Sequence, residues 1–244
     1  MPRAPGLPVF LLLLAILPIS AGAQEKDDRL AAAWEAIDRF VERSMKEERT
    51  PGLALAVTSR EGLLRAASYG WADLKTRAPV RPDTLFEIGS TSKSFTAIVL
   101  LQLREEGKLD LRKPVSAFLP WFKVRSRFDA FTIHDVLTHR AGLPRDRDDI
   151  PSSPFQAAAL AERETGSEPG KTFAYSNVGF QVLGYLAEAV GKEPYPRALR
   201  RRILEPLGMS SSVPCFTHET RARLAVGYAT LYDDRPAHVS HPLV

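Results

Sequence analysis

The sequence has 244 residues, of which 44% are hydrophobic and 25% are charged, a balance that excludes collagen-like, low-complexity and broadly disordered chains. Lys and Arg number 33 against 29 Asp and Glu, and this small, scattered excess does not indicate a nucleic-acid-binding protein. The lone Cys215 cannot form an internal disulfide, and neither it nor the five histidines show metal-ligand spacing. The length suits one large domain or two small ones, with a sizeable core.

Residues 1–23 are typical of an export signal. Arg3 precedes the unbroken apolar run Val9–Leu17, and residues 21–23 (Ala-Gly-Ala) have the small-x-small pattern that signal peptidase accepts. The run is shorter than the roughly 20 apolar residues that cross a bilayer, so we expect no stable membrane anchor. An uncleaved anchor and a buried strand are the alternatives. The prediction is cleavage after residue 23 and a secreted or periplasmic protein.

Apolar residues at helical spacing predict helices within residues 24–244, a region whose linkers are too short to divide it, so we expect one domain. The helices are predicted at Asp27–Glu48, Thr91–Glu106, Thr132–Leu137, Pro154–Thr165, Ser176–Val190 and Pro196–Leu204. Because Ala97–Leu103 is apolar almost throughout, we expect the second helix to be buried. Thr132 is predicted to be the N-cap of the third helix.

Two strands are predicted, at Leu53–Thr58 and Leu63–Tyr69, with a turn at residues 60–62 between them. Loops are expected at residues 70–82, 109–120 (with a short helix) and 146–154. After Leu207 the pattern weakens, and residues 233–244 are polar and lack periodicity.

Ser90 and Lys93 form a Ser-x-x-Lys pattern at the start of the second predicted helix. If Ser90 opens the helix, both side chains lie on the same side of its first turn. A serine hydroxyl is a poor nucleophile until a nearby base takes its proton. Lysine can take it only as the neutral amine, a form that burial and a helix N-terminus favour. The alternative is a serine N-cap beside a surface lysine.

Tyr175 and Asn177 lie on a loop before the fifth predicted helix, two residues apart, and can face one cleft. A phenol beside a lysine can act as a general acid or base, and an asparagine can bind a lysine amine and a substrate carbonyl together. The alternative is an ordinary helix start capped by Ser176 or Asn177.

The segment Phe86–Ala97 (FEIGSTSKSFTA) resembles the active-site segment of the serine β-lactamase and penicillin-binding-protein superfamily. Tyr175-Ser176-Asn177 resembles the Tyr-x-Asn element of its class C branch. Further segments are similar to that branch in the same order, namely Leu137–Pro144, Pro169–Gly184, Ile203–Met209 and Leu224–Tyr228. The resemblance therefore spans about residues 50–228.

The resemblance implies an α/β sandwich in which helices flank an antiparallel sheet, the β-lactamase/transpeptidase-like fold. It implies that Ser90 is the acylated nucleophile, that Lys93 activates it and shares its proton, and that Tyr175 assists as a base. Asn177 would orient Lys93 and bind the substrate. No metal or cofactor is implied. His139 lies in one of the similar segments, and we interpret it as structural.

The superfamily's third element, Lys-Thr-Gly or a variant beginning with His, has no counterpart after Asn177. The residues two positions before the later glycines are Asn177, Val182, Ala189, Pro206 and Ala225, and none is basic. We therefore expect the C-terminal strands of the sheet to be missing from the chain, or to be completed by a second polypeptide. Without them one side of the cleft would be open.

These observations predict a secreted serine hydrolase of the class C β-lactamase type. Its substrate would be a small molecule or a peptide: a β-lactam, a D-Ala peptide or a small ester. The alternative is a catalytically impaired fragment, or a non-catalytic relative with a binding or regulatory role.

Overall fold

The computed structural model describes residues 21–144, 153–232 and 235–240. Nearly all of the predicted export signal and most of the predicted loop at 146–154 lie outside these residues. The helices are α1 Ala21–Glu47, α2 Ser92–Glu105, α3 Ile133–Leu137, α4 Ser153–Ala159, α5 Asn177–Gly191, α6 Tyr195–Leu199 and α7 His218–Arg221. Single 3-10 turns lie at Gly89–Thr91, Val115–Ala117 and Leu160–Glu162, and Arg200–Leu204 continues α6 as a π-helical turn. Among the described helices, none is long and apolar enough to span a bilayer.

The predicted hairpin is confirmed by β1 (Gly52–Thr58) and β2 (Leu63–Asp73), which pair antiparallel. The prediction was wrong in ending the second strand at Tyr69. The strand continues to Asp73 because β3 (Ala78–Pro79), within the predicted loop, pairs with its end. The chain therefore forms a small three-stranded sheet in the order β1-β2-β3.

The C-terminal segment forms two strands where the sequence shows no periodic pattern. There β4 (Tyr228–Tyr232) and β5 (Arg235–Ser240) form a separate antiparallel pair. Backbone pairing alone defines these strands, and it needs none of the alternation of apolar and polar side chains that a half-buried strand shows in sequence.

The core lies between helices α2 and α5, which pack together. Helix α2 contributes Val99, Leu100 and Leu103, and α5 contributes Val182, Leu183 and Leu186; the side chains of all six are inaccessible to solvent. Burying one such side chain contributes about 1.5–3 kcal/mol. The expectation that α2 is buried holds for one face only, because Ile98 on the other face is 42% exposed.

Helix α1 lies against the sheet through one ionic contact. The Arg65 guanidinium on β2 donates to both carboxylate oxygens of Asp38 on α1, each at 2.7 Å, and the Tyr69 hydroxyl donates to the same carboxylate. These bonds hold the pKa of Asp38 below its ordinary value, with the Tyr69 bond the larger cause. The helix therefore covers one part of the hairpin.

The segment before β4 ties the sheet to the chain that enters α2. The amide of Leu85 donates to the carbonyl of Arg223 at 3.2 Å, and the amide of Ala225 donates back to Leu85 at 2.8 Å. The amide of Val226 donates to the carbonyl of Ala72 on β2. These bonds anchor the chain five residues before Ser90.

Candidate active site

Ser90 lies in the 3-10 turn Gly89–Thr91, immediately before α2, with its side chain exposed. Gly89 has φ +52°, a left-handed conformation that glycine adopts without strain. The capping positions of the turn and of α2 are Ile88 and Thr91, and neither side chain makes a capping hydrogen bond. Ser90 is therefore not a helix cap, which was the alternative left open by the sequence.

The structure brings Ser90, Lys93, Tyr175 and Asn177 into one hydrogen-bonded group. Ser90 Oγ lies 2.6 Å from Tyr175 Oη, and Lys93 Nζ donates to Ser90 Oγ at 3.1 Å. Lys93 Nζ also donates to Asn177 Oδ1 at 2.7 Å and lies 4.7 Å from the centroid of the Tyr175 ring. Two groups that can take a proton thus contact the same hydroxyl.

The start of α5 explains how Tyr175 and Asn177 come to face Lys93. Ser176 is the N-cap: its buried Oγ accepts a hydrogen bond from the amide of Gly179 at 3.1 Å. The cap fixes the backbone on both sides of Ser176, and the side chains of Tyr175 and Asn177 both contact Lys93 on α2. Ser176 is therefore the cap, one of the two residues that the sequence offered for it, and Tyr175 and Asn177 lie on either side of it.

A second segment, residues 139–142, supports the loop that carries Tyr175. The amides of Gly166, Gly170 and Ala174 donate to the carbonyls of Gly142, Arg140 and His139, at 2.8, 2.9 and 2.7 Å. Gly142 has φ +67°, and a Cβ built there would lie 2.3 Å from the carbonyl oxygen of Ser167. Glycine is thus needed both for the backbone conformation and for the close approach of the two segments.

His139 lies at the centre of this contact. Its ring centroid is 4.5 Å from that of Tyr175, 5.0 Å from Phe180 and 5.6 Å from Phe173, and Nδ1 accepts the Ser176 amide at 3.2 Å. Burial lowers the pKa of His139 from its ordinary value near 6.5, and the positive charge of Lys93 lowers it further. The neutral imidazole is the form that this site favours.

Sequence reasoning did not identify Phe173 and Phe180 as neighbours of the site. Phe180 follows Asn177 by three residues on α5, and its ring centroid is 5.8 Å from Lys93 Nζ. That spacing was the available signal, since residues three apart share a helix face. Within the described parts of the chain, no three His, Cys, Asp or Glu side chains gather where they could hold a metal ion.

The family model described as "Beta-lactamase" matches residues 37–240 of the sequence. A curated β-lactamase from Providencia stuartii is 32% identical over 199 residues, which cover 81% of this chain and 49% of that protein. Protein flp from Staphylococcus aureus is 28% identical over 203 residues, 80% of this chain and 41% of that protein. The chain therefore spans less than half the length of these relatives.

The fold is similar to that of the octameric penicillin-binding protein homologue from Pyrococcus abyssi. The two structures superpose with a TM-score of 0.75 and 30% sequence identity, over 85% of this chain and 50% of that one. This match confirms the predicted fold of helices with a small antiparallel sheet.

Proposed function

The chain belongs to the β-lactamase family of serine hydrolases, and from that premise we propose that it acts through an acyl-enzyme on Ser90. The observation that carries the proposal is the pair of contacts at one hydroxyl: Ser90 Oγ lies 2.6 Å from Tyr175 Oη and 3.1 Å from Lys93 Nζ. A nucleophile and its base are recognised by this kind of geometry.

In the acylation step, Ser90 Oγ bonds to the substrate carbonyl carbon and its proton passes to the neutral Lys93 amine. The bond from the carbonyl carbon to the leaving nitrogen or oxygen then breaks, and the leaving atom receives a proton through Tyr175. The 2.7 Å bond to Asn177 Oδ1 orients Lys93 for this transfer. The backbone N–H of Ser90, beside the positive end of α2, is the proposed donor to the oxyanion.

In the deacylation step, a water molecule attacks the ester carbonyl on Ser90. Tyr175 assists by taking a proton from that water, the acid product leaves, and Ser90 Oγ regains its proton. General acid–base assistance of this kind contributes typically about 10²- to 10⁴-fold in rate.

The proposed substrates are a β-lactam, a D-Ala peptide or a small ester, hydrolysed in the manner of the class C branch. The Tyr-x-Asn element supports this choice, as do relatives named β-lactamase and penicillin-binding protein homologue. Apolar surface beside the site, on Phe173 (63% exposed) and Ile88 (52% exposed), suits an uncharged acyl group. Export to the periplasm or cell exterior is proposed on the pattern of residues 1–23.

A binding or regulatory protein without turnover is the second candidate. It is favoured by one sequence observation: within residues 178–244, no glycine has a basic residue two positions before it. In this candidate, a strand with such an element would come from a second polypeptide. Turnover by this chain alone would argue against the second candidate.

Labelling experiments test the proposed function. The protein is treated with a fluorescent penicillin and with a fluorophosphonate, beside Ser90→Ala and the matched control Ser92→Ala, whose exposed hydroxyl lies two residues away. We expect label on the wild type and on Ser92→Ala, and none on Ser90→Ala. A folded wild type that takes up neither probe, or label that persists in Ser90→Ala, would refute the proposal.

A further inference from the structure

His139 contacts the chain on both sides of Tyr175. Its backbone carbonyl accepts the Ala174 amide at 2.7 Å, and its Nδ1 accepts the Ser176 amide at 3.2 Å. Between these two bonds its ring lies against the Tyr175 ring, at 4.5 Å between centroids and 32° between planes. Three consecutive residues are thus held by one histidine.

We propose that His139 is a positioning residue, whose neutral imidazole holds Tyr175 in the orientation that places its hydroxyl on Ser90. The proposal rests on the proposed function, because it assigns a role in the same reaction. Tyr175 is 44% exposed, and its ring contacts Lys93 Nζ, 4.7 Å from the ring centroid, as well as the His139 ring. Of these two groups, only His139 also bonds the backbone on both sides of Tyr175.

The backbone of His139 indicates that the surroundings determine this arrangement. Its φ is +56°, in the left-handed region that residues other than glycine rarely adopt, although Asn, Asp and His are several-fold enriched there. Such conformations persist where neighbouring structure over-determines them. Here the Ala174 and Ser176 amides both donate hydrogen bonds to His139, the residue with the strained backbone.

Only the neutral ring can hold Tyr175 in this way. Nδ1 accepts the Ser176 amide when the ring proton is on Nε2, and a protonated imidazole has donors at both nitrogens. The groups that face the ring are Lys93 from α2, Tyr175 and Phe173 from the loop, and Phe180 from α5. On the helix preceding His139, the Asp135 carboxylate accepts the amide and hydroxyl of Thr132. Protonation would add a second cation beside Lys93 and break the Ser176 bond.

Two substitutions distinguish the effect of the side-chain acceptor from the effect of the backbone conformation. His139→Asn keeps an acceptor, since its Oδ1 takes the place of Nδ1, and it tolerates a left-handed φ; His139→Gly tolerates the same φ and offers no acceptor. We expect His139→Gly to slow fluorophosphonate labelling of Ser90 by about 10- to 100-fold, the scale of a misplaced catalytic group. His139→Asn should recover most of that rate.

The pH profile of labelling distinguishes a positioning role from a merely structural one, which would not change the profile. The pKa of His139 lies below its ordinary value of about 6.5, so the wild-type rate should show a separate fall as the pH drops through that lower pKa. His139→Asn should lack this acid limb, whereas the control His134→Asn, at an exposed histidine on α3, should retain it. Equal rates for the Asn and Gly variants, or an unchanged acid limb in His139→Asn, would overturn the proposal.

Hydrogen exchange at the Ser176 amide distinguishes failure of this inference from failure of the proposed function. Measured by NMR, that amide should be protected in the wild type and in His139→Asn, and should exchange faster in His139→Gly. If Ser90 takes up no probe but this pattern holds, the proposed chemistry fails and the positioning contact stands. If Ser90 is labelled and the amide exchanges equally in all three proteins, the positioning role is refuted.

Discussion

Lys93 is the residue at which the site's contacts meet. Its amine contacts Ser90 Oγ and Asn177 Oδ1, and it lies over the faces of the Tyr175 and Phe180 rings. Activation of Ser90 requires the neutral amine. A substitution that stabilises the ammonium form should therefore slow the reaction at Ser90.

Asn177→Asp tests whether activation of Ser90 requires the neutral Lys93 amine. The new carboxylate would lie about where Oδ1 now lies, 2.7 Å from Lys93 Nζ, and would stabilise the ammonium form. We expect fluorophosphonate labelling of Ser90 to slow by about 10²-fold, within the range that general base catalysis contributes. The control Asn177→Ala removes the bond without adding charge and should have a smaller effect. Labelling of Asn177→Asp at the wild-type rate would show that Lys93 does not accept the serine proton.

Among individual residues, the sequence predicted the pairs that are recognised by a short spacing along the chain. Ser90 and Lys93 are three residues apart, and Tyr175 and Asn177 two apart, so each pair could be found within a few residues. The contact of His139 with Ser176 joins positions 37 residues apart in the chain, and it depends on a left-handed backbone and two loop segments. Such a contact leaves no periodic pattern in the sequence, and His139 was interpreted only as structural.

Among the elements, the long helices were predicted well and the short strands were not. Helices α2 and α5 carry apolar residues on one face over four turns, which is a strong periodic signal. Strand β3 has two residues, both exposed, so only its pairing with β2 defines it. The predicted N-cap Thr132 is confirmed, since its hydroxyl accepts the Asp135 amide, so a single polar residue can also be informative.

An ion pair joins the end of α2 to the π-helical turn after α6. The Arg202 guanidinium, 7% exposed, donates to both carboxylate oxygens of Glu106, and Lys108 contacts the same carboxylate at 2.7 Å. These bonds lower the pKa of Glu106 from 4.5 to about 2, with the Arg202 bond the largest cause. The pair thus links two elements of the helical region.

Glu106→Gln should weaken this link in a pH-dependent way. Because the pKa is lowered on folding, the carboxylate stabilises the fold above pH 4.5, and this contribution is lost as the pH falls from 4.5 towards 2. At pH 7 we expect a loss of about 1 kcal/mol, because the Glu106 side chain is 37% exposed and solvent screens the pair. Urea unfolding of both proteins at pH 7 and pH 3 measures it, with Glu105→Gln as the neighbouring control. A difference that is the same at both pH values would refute the linkage.

The whole molecule divides into regions of different burial. Every residue of the cluster around α2 and α5 lies between positions 99 and 203. No residue of β1 or β2 is fully buried, and this hairpin bonds to α1, to β3 and to the segment before β4. The catalytic candidates, which lie at the starts of α2 and α5 or just before them, are therefore supported chiefly by the helical region.

Hydrogen exchange along the chain should follow this division. Amides whose hydrogen bonds break only when the main core unfolds exchange slowest. Elements with little buried apolar contact open locally at a lower free-energy cost. We expect the amides of α2 and α5 to exchange at least about 10-fold more slowly than those of β1 and β2, as measured by mass spectrometry on peptides.

Leu186→Ala, which removes a side chain inaccessible to solvent, should lower the free energy of opening of both helices by about 2–5 kcal/mol. In the same variant, exchange in the β1–β2 hairpin should change little, because the hairpin opens without the core. Equal acceleration in helices and hairpin would instead show that the chain unfolds as one cooperative unit, with Ser90 and its partners dependent on the sheet as much as on the helices.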